Sequence, residues 1–375
     1  MWLRNLQVTN FRNFSHLNLR FSPGVNIFEG KNGEGKTNLL EAIYCLTRGL
    51  SFRTSREQRL IKWGEKNLYL KGEGEKQGNF LKYEFSLGKT ESKRRKVNSH
   101  AVSLKNSKWW LWPVIFTSQD MKIVQSGPFY RRSFIDEVLS FSYPEFNYLK
   151  LSFNRVLNQR NMVLNQLKKG KNSKKLLDSW DFQLVKFGSK IVYLRIQMSK
   201  ELSLRLKDTL NQLMGKKVSC KLVYQCSFIN GETDKISLDS INELFTFQLS
   251  RIRQREIESG ITLIGPHRDE FKIFVNGVDL RNFGSQGEQR VVAIGLRLVE
   301  AELIREAQKE APLVLLDDIT SDLDCEREKF LLKKIKSMGQ VFLTCQDLSR
   351  LNKAILNESL IFHLKNGNVE VKDHG

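Results

Sequence analysis

Eight residues near the amino terminus follow the pattern G-x-x-x-x-G-K-S/T: Gly30, Lys31, Asn32, Gly33, Glu34, Gly35, Lys36 and Thr37. Glycines let backbone N–H groups converge on a phosphate without a Cβ in the way, and a following helix points its positive end at the same anion. Lys36 can reach the β- and γ-phosphates of a nucleotide, and the Thr37 hydroxyl can bind Mg²⁺. A strand pattern at Val25–Glu29 and a helix pattern at 37–48 flank the loop. We therefore predict that it binds ATP and Mg²⁺, rather than being a glycine-rich turn with an incidental lysine.

A second chemical pattern lies far downstream, where the apolar run Pro312–Leu316 ends in Asp317 and Asp318. Such a run is typical of a buried parallel strand, and a carboxylate at its end can hold Mg²⁺ directly or through water. We assign this metal role to Asp317. Lys36 and Asp317 are 281 residues apart in the chain. The two halves of the nucleotide site must therefore come together around a large insertion.

The rest of the sequence predicts an α/β fold interrupted by helices. Residues 1–29 alternate like strands, residues 68–100 resemble a strand meander, and the α/β pattern returns from Thr262. From about Pro128 the apolar period is helical, and the residues between Ile191 and Leu213 predict a long amphipathic helix or coiled-coil arm. We accordingly divide the chain into three segments, which are a first head half at 1–128, a mainly helical, basic arm at 129–256 and a second head half at 257–375.

Five shorter features are predicted as well. They are a turn holding the basic cluster Lys93–Lys96, a loop between arm helices at Lys168–Lys175, a strand at 217–228, a helix near 239–256 and a last strand at Val341–Leu343.

The chain is strongly basic. It has 61 Lys and Arg against 41 Asp and Glu, a formal net charge of +20. Between Lys150 and Lys200 there are twelve Lys or Arg and two acids, so half of the excess falls within 51 residues. Any single lysine there is compatible with a solvated helix surface. The concentration favours a polyanion such as DNA as a partner.

Cysteine and hydropathy patterns exclude other classes. The five cysteines are scattered without a CxxC pair, so neither a disulfide framework nor a zinc site is expected, and Cys220 and Cys226 are interpreted as packing residues. No run approaches the roughly 18 apolar residues of a membrane helix, and Met1–Asn5 lacks the apolar core of a secretory signal. We therefore expect a cytoplasmic protein without a membrane partner.

The segment Phe283–Arg290 precedes a predicted helix and resembles the signature of ABC ATPases. In that class a serine and a glycine at a helix amino terminus grip the γ-phosphate of the nucleotide on a second, paired head. Ser285 and Gly287 take these places. Asp318 stands where the class has a glutamate that polarises the attacking water, and the segment Ser321–Asp324 resembles the D-loop.

Further stretches make the resemblance specific to the RecF family of bacterial DNA gap-repair proteins, over nearly the whole chain. They are Asn10–Phe14, Gly30–Thr54, Gly127–Pro128 with Arg131, Arg132 and Phe134, Gly265–Asp269 and Ser285–Gly287. The resemblance implies an ABC/SMC-like head assembled from both ends of the chain, and an ATP-dependent homodimer. It also implies binding to gapped DNA at single-strand/double-strand junctions, slow DNA-stimulated ATP hydrolysis, and cooperation with RecR-type and RecA-type repair proteins.

The chain departs from the family pattern at two places. Phe116–Met121 reads Phe-Thr-Ser-Gln-Asp-Met where Phe-Ser-Pro-Glu-Asp-Leu is expected, and Gln119 can contact Mg²⁺ or the attacking water as the Q-loop glutamine does in ABC proteins. After the strand at Val341–Leu343 come Thr344, Cys345 and Gln346, with no switch histidine. Weak turnover is consistent with both departures.

Some roles stay open at this point. Arg12 and Arg268 can touch ATP or brace the fold, and His267 is either a structural loop residue or part of a dimer interface near the nucleotide. A second function class is a DNA-binding scaffold that uses ATP only to dimerise. The long split of the site, the basic arm and the lack of an LSGGQ sequence argue against a transporter ATPase, and no acidic cluster suggests a nuclease.

Overall fold

A computed structural model describes residues 1–90, 92–102, 111–171, 175–231, 233, 235–318 and 325–372. Its strands are β1 Trp2–Phe11, β2 Phe14–Arg20, β3 Val25–Glu29, β4 Asn67–Lys76, β5 Asn79–Gly88, β6 Arg94–Val97, β7 His100–Ala101, β8 Pro113–Phe116, β9 Cys220–Gln225, β10 Glu270–Val275, β11 Val278–Asp279, β12 Leu313–Leu316, β13 Val341–Cys345, β14 Ser359–Lys365 and β15 Asn368–Lys372. Its helices are α1 Lys36–Arg48, α2 Met121–Gln125, α3 Pro128–Ser142, α4 Phe146–Lys168, α5 Lys175–Met214, α6 Leu238–Ser259, α7 Leu280–Phe283, α8 Gln286–Gln308, α9 Cys325–Lys336 and α10 Lys353–Leu356.

The chain forms two compact units. The head unit consists of Met1–Asp120 and Glu300–Gly375, and the arm unit of Met121–Val299. The boundaries proposed from the sequence differ at both ends, because residues 121–128 and 257–299 lie in the arm unit. There β10 pairs antiparallel with β9. None of the helices in the described parts of the chain is long and apolar enough to cross a lipid bilayer.

Two six-stranded sheets build the head unit. One is antiparallel, with the order β2-β1-β4-β5-β6-β7. The other has the order β15-β14-β3-β13-β12-β8, and its strands are parallel except for β15. The carboxyl ends of β3, β8, β12 and β13 therefore meet at one edge, where ligands bind in open parallel sheets.

Burial explains why these segments form parallel strands. Every residue of β12 and β13 is buried, and accordingly all of them are apolar except Thr344, whose hydroxyl faces the site. The side chain of Phe21 packs its ring edge-on against Phe342 at 4.9 Å between centroids and against Phe28 at 6.2 Å. Such aromatic pairs add to the free energy gained by burying their area.

The arm unit is built on the 40-residue helix α5, which packs against α4, α6 and β9. The long amphipathic helix predicted from Ile191 to Leu213 is confirmed, since its apolar residues Ile191, Met198, Leu202, Leu206 and Leu210 are buried. Strands β11, β10 and β9 form a small antiparallel sheet in the same unit.

Two local predictions are wrong. The basic cluster Lys93–Lys96 is not a turn, because Arg94, Arg95 and Lys96 belong to β6, which pairs with β5. The strand at Val341 is not the last one either, because β14 and β15 follow it and β14 pairs with β3. β6 is ordered by the strand just before it and β14 by a strand from the start of the chain, so in both cases strand pairing outweighs the local pattern.

We expect the buried arginine Arg160 to be decisive for the stability of the arm. Its guanidinium donates to Asp181 at 2.6 Å, to Glu256 at 2.6 Å and to the Thr262 hydroxyl at 2.9 Å, so it joins α4, α5 and α6. Arg160→Leu would leave the fully buried Glu256 carboxylate without its cation, at a cost of about 3–5 kcal/mol. Urea unfolding measures this. The matched control Arg205→Leu removes the half-buried partner of Glu201 in a pair that solvent reaches, and it should cost less than about 1 kcal/mol. Equal, small losses in both variants would contradict the prediction.

Candidate nucleotide site and signature segment

The phosphate loop joins β3 to α1 at the edge where the parallel strands end. Gly33 and Gly35 have φ angles of +92° and +105°, in the left-handed region that favours glycine. A Cβ on Gly35 would also lie 2.6 Å from the side-chain nitrogen of Asn13, and one on Gly30 would lie 2.7 Å from the Leu364 carbonyl oxygen. The glycine spacing is therefore required by the packing around the loop.

The other loop residues divide into an exposed rim and a buried base. Lys31, Asn32 and Gly33 are exposed, whereas Glu34 is half-buried and its carboxylate accepts the Asn366 N–H. Lys36 is only 5% exposed. Its ammonium group donates to the carbonyl of Gly30 at 2.6 Å and to that of Lys31 at 3.3 Å.

This geometry suits a polyphosphate. The charge of Lys36 lies inside the loop, and α1 begins after Gly35, which has no side chain to cap the free N–H groups of the first turn. A cation and a row of helix-terminal donors thus face the same space, which is the arrangement that binds phosphate.

Thr37 and Asp317 meet as the sequence predicts. The Thr37 hydroxyl donates to Asp317 Oδ1 at 2.8 Å, and the Thr344 hydroxyl donates to the same oxygen at 3.1 Å. Burial raises the pKa of Asp317, and these two hydrogen bonds oppose the shift. Hydroxyl and carboxylate oxygens are the ligands that Mg²⁺ prefers, and Mg²⁺ usually keeps several waters. The described residues hold no cluster of three or more His, Cys, Asp or Glu, so water and the nucleotide would complete the shell.

Asp318 and Gln119 follow neighbouring strands of this edge, because β8 and β12 pair in parallel. The backbone of Asp318 has a φ of +52° and its N–H donates to the Thr344 hydroxyl at 2.9 Å. Gln119 is exposed in a short 3₁₀ turn after β8. Asp318 is thus next to Asp317, Gln119 lies three residues past the end of β8 at the same edge, and their catalytic roles stay predictions. The predicted D-loop, Ser321–Asp324, lies outside the described residues.

A buried carboxylate that the sequence reading missed, Glu41, organises the side of α1. It is completely buried and accepts two hydrogen bonds from Arg12, both at 2.8 Å. The Ser51 hydroxyl donates to it at 2.5 Å and Arg53 at 3.4 Å. Arg12 also donates to the Arg59 carbonyl at 2.8 Å. Arg12 therefore braces this region, and its contact with a nucleotide stays a prediction.

The same network reaches the phosphate loop. Arg53 donates to the Asn38 side chain at 2.7 Å, Asn38 donates to Asn13 at 2.8 Å, and Asn13 donates to the carbonyl of Glu34 at 3.4 Å. Glu41 lies on the side of α1 opposite Leu39, Leu40, Ile43 and Leu46, so the helical periodicity does not predict its burial. The partners could not be read from spacing, because Arg12 lies in the turn after β1 whereas Ser51 and Arg53 follow α1.

A groove of about 830 Å³ opens beside this network. Its walls include Arg12, Asn13, Asn38, Arg53 and Trp63, and the Trp63 side chain is 98% exposed. The groove combines cations, amides and one aromatic ring.

The signature segment lies in the arm unit at the start of α8. Ser285 and Gly287 are exposed, and a Cβ on Gly287 would meet nothing within 4 Å. The backbone and hydroxyl of Ser285 donate to the Glu288 carboxylate at 2.9 and 3.0 Å, and the Glu288 N–H donates back to the hydroxyl at 3.2 Å. This is a capping box. The hydrogen bonds from Ser285 lower the pKa of Glu288.

The segment Gly265–Asp269 is held within the arm unit. Arg195 donates to the Pro266 carbonyl at 2.6 Å, and the Tyr224 hydroxyl donates to the Asp269 carboxylate. His267 Nε2 lies 3.3 Å from the Thr262 carbonyl, and burial lowers the pKa of His267 to about 4. His267 is therefore neutral near pH 7, which supports a structural role.

The basic stretch Lys150–Lys200 is partly internal. Arg195 pairs with Asp136 at 2.9 Å, as does Lys150, and Arg160 is buried with its acids. The exposed lysines where α4 ends and α5 begins are Lys168, Lys169, Lys171 and Lys175. Lys174 lies outside the described residues.

Known proteins resemble this chain along its whole length. A family model described as RecF/RecN/SMC N terminal domain matches residues 2–369. A protein of Clostridium kluyveri named DNA replication and repair protein RecF is 37% identical, with 98% of this chain and 99% of the relative covered. The protein of that name in Clostridioides difficile is 35% identical over 100% of both chains.

Solved structures also resemble this chain. The structure of the recombination mediator protein RecF-ATP in the RecFOR pathway has a TM-score of 0.91 and 31% identity, covering 99% of this chain and 98% of that one. An SMC head bound to the C-terminal winged-helix domain of ScpA has a TM-score of 0.57 at 14% identity, with 99% and 97% covered, and shows the fold alone. The resemblance predicted from the sequence motifs is confirmed, and the chain belongs to the RecF family.

Proposed function

We propose that this protein is an ATP-binding, DNA-binding protein of recombinational gap repair. The observation that carries the proposal is the meeting of Lys36, Thr37 and Asp317 at one edge of the parallel sheet, with Thr37 and Asp317 joined at 2.8 Å. Lys36 and the N–H groups of α1 bind the phosphates. Thr37 and Asp317 hold Mg²⁺, which neutralises phosphate charge when bound.

The nucleoside part of ATP occupies the groove beside the loop. Its volume of about 830 Å³ accommodates a base and a ribose. Trp63 is an exposed ring on which a base can stack, and Asn38 and Arg53 supply polar contacts. Because Glu41 holds Arg12 and Arg53, these guanidinium groups are already oriented before the ligand arrives.

We further propose that ATP brings two copies together. The exposed Ser285 and Gly287 of one copy face the γ-phosphate held by the other copy. The Glu288 carboxylate must then turn away from Ser285, because it would otherwise repel the phosphate. Asp318 and Gln119 position the attacking water, and slow turnover is consistent with an aspartate that is one methylene shorter than glutamate.

DNA is the proposed polyanionic partner, with a preference for single-strand/double-strand junctions and gaps. The exposed lysines between α4 and α5 contact phosphates, while RecR-type and RecA-type proteins act at the same gap. The names of the relatives, and the likeness to a solved recombination mediator of the RecFOR pathway, support these assignments. A scaffold that turns over negligible ATP is the alternative, and ATPase rates with and without gapped DNA separate the two.

Lys36→Ala should abolish ATP binding, because the loop loses the only cation buried at its centre. Binding of labelled ATP to the folded variant is the measurement. Lys66→Ala, an exposed lysine outside the site, serves as the control and should bind normally. Near-normal affinity of the Lys36 variant would refute the site.

Ser285→Arg should leave ATP binding intact and block ATP-induced dimerisation, because a long cation then stands where the partner's nucleotide must approach. Light scattering with and without ATP measures the dimer. Ser285→Thr keeps the hydroxyl cap and should still dimerise. Normal dimerisation of the arginine variant would contradict a composite site.

Changing Lys168, Lys169, Lys171, Lys174 and Lys175 to Gln should weaken DNA binding for every sequence. Each duplex phosphate neutralised contributes roughly 0.9 to the slope of log affinity against log salt, so the variant should also have a shallower slope. The measurement is affinity across a salt series. The control changes an equal number of exposed lysines elsewhere, namely Lys66, Lys207, Lys235, Lys309 and Lys353. If affinity and slope match wild type, the DNA path lies on another surface.

A further inference from the structure

A groove between α5 and α6 in the arm unit is not used by the proposed function. It encloses about 560 Å³, within the size range of pockets that bind ligands or anchor side chains. Its floor is apolar, with Val185 and Leu249 buried, while the neighbouring Phe182 side chain is 71% exposed. An exposed aromatic ring beside buried aliphatic groups is typical of the anchor point of a protein interface.

The two ends of the groove differ in charge. At one end Arg253 pairs with Asp178 and lies 3.6 Å from Asp181, and Asp181 also accepts Arg160 at 2.6 Å. The negative charges of Asp178 and Asp181 are therefore neutralised by paired arginines.

At the other end are Lys186 and Lys190, exposed and one helical turn apart. Neither forms an ion pair with a residue in the described ranges. This end therefore has two uncompensated positive charges next to an apolar floor.

The dimensions favour a helix as the occupant. The groove follows α5 from Asp178 to Lys190, about 18 Å at 1.5 Å per residue. A helix of about three turns spans that length, and a groove between two packed helices accepts a third by its apolar face.

We propose that this groove binds an amphipathic, acidic helix of a partner protein. The apolar face of that partner helix covers Phe182, and the carboxylates of the partner helix pair with Lys186 and Lys190. Charge complementarity argues for a protein rather than DNA. A DNA strand along the groove would place phosphates beside Asp178 and Asp181, and these like charges repel each other. A helix that carries its carboxylates only near Lys186 and Lys190 avoids this repulsion.

The test uses a fluorescein-labelled, helix-forming peptide of about 14 residues, with leucines on one face and glutamates beside them, and the full-length protein. The double variant Lys186→Glu/Lys190→Glu should bind it on the order of 10-fold more weakly, because two ion pairs become repulsions. Phe182→Ala should weaken binding by a similar factor, and its exposed position leaves folding intact.

Two controls match these changes. Lys207→Glu/Lys235→Glu changes the net charge by the same amount at exposed sites outside the groove. Phe247→Ala removes an exposed ring of α6 that does not line the groove. Both should bind the peptide like wild type. A peptide with lysines in place of the glutamates should bind the Lys186→Glu/Lys190→Glu variant better than wild type.

Three results of the peptide-binding experiment overturn the proposal. They are no binding of the acidic peptide, equal weakening by the control variants, and displacement of the peptide by a short single-stranded DNA with the same dependence on Phe182. Self-association that sedimentation finds in wild type and not in Phe182→Ala also overturns it, because the occupant is then a second copy of this chain.

Discussion

The hydrogen bond from Thr37 to Asp317 joins residues 280 positions apart, and the arrangement of the head unit follows from it. Thr37 lies at the start of α1 and Asp317 just after β12, so the strand between them, β13, must bring Thr344 to the same carboxylate. The parallel order β3-β13-β12-β8 satisfies this and places Gln119 and Asp318 at the same edge. The order of the strands therefore brings the residues of the candidate site together.

Buried ion pairs reduce the number of basic groups that a partner can reach, although each pair leaves the net charge of the chain unchanged. Glu41, Glu256 and Asp136 are each nearly or fully inaccessible, and each is met by an arginine. Arginine suits these places because its planar group makes two or more directed hydrogen bonds at once, which a lysine ammonium does not. Arg160 and Arg195 therefore stabilise the arm, whereas the lysines between α4 and α5, such as Lys168 and Lys171, stay exposed.

The sequence predicted the features that depend on neighbours along the chain. The phosphate loop, the acidic strand end and the long helix α5 all have local patterns, and so they could be located. Strand β14 could not, because it depends on pairing with β3 from the start of the chain. The strand character of Arg94–Lys96 could not either, because a run of basic residues has no strand pattern of its own and is ordered by pairing with β5. The partners of Glu41 were missed for the same reason, and the α5–α6 groove arises only when two amphipathic helices meet.

Strand β3 lies between β13 and β14, which come from the last 35 residues of the 375-residue chain. During synthesis the phosphate loop leaves the ribosome early, but its strand has no sheet to join until β13 and β14 have emerged. The nascent amino-terminal half therefore cannot hold a nucleotide in the finished geometry. A product truncated before these strands would therefore lack both neighbours of β3, the strand that leads into the phosphate loop.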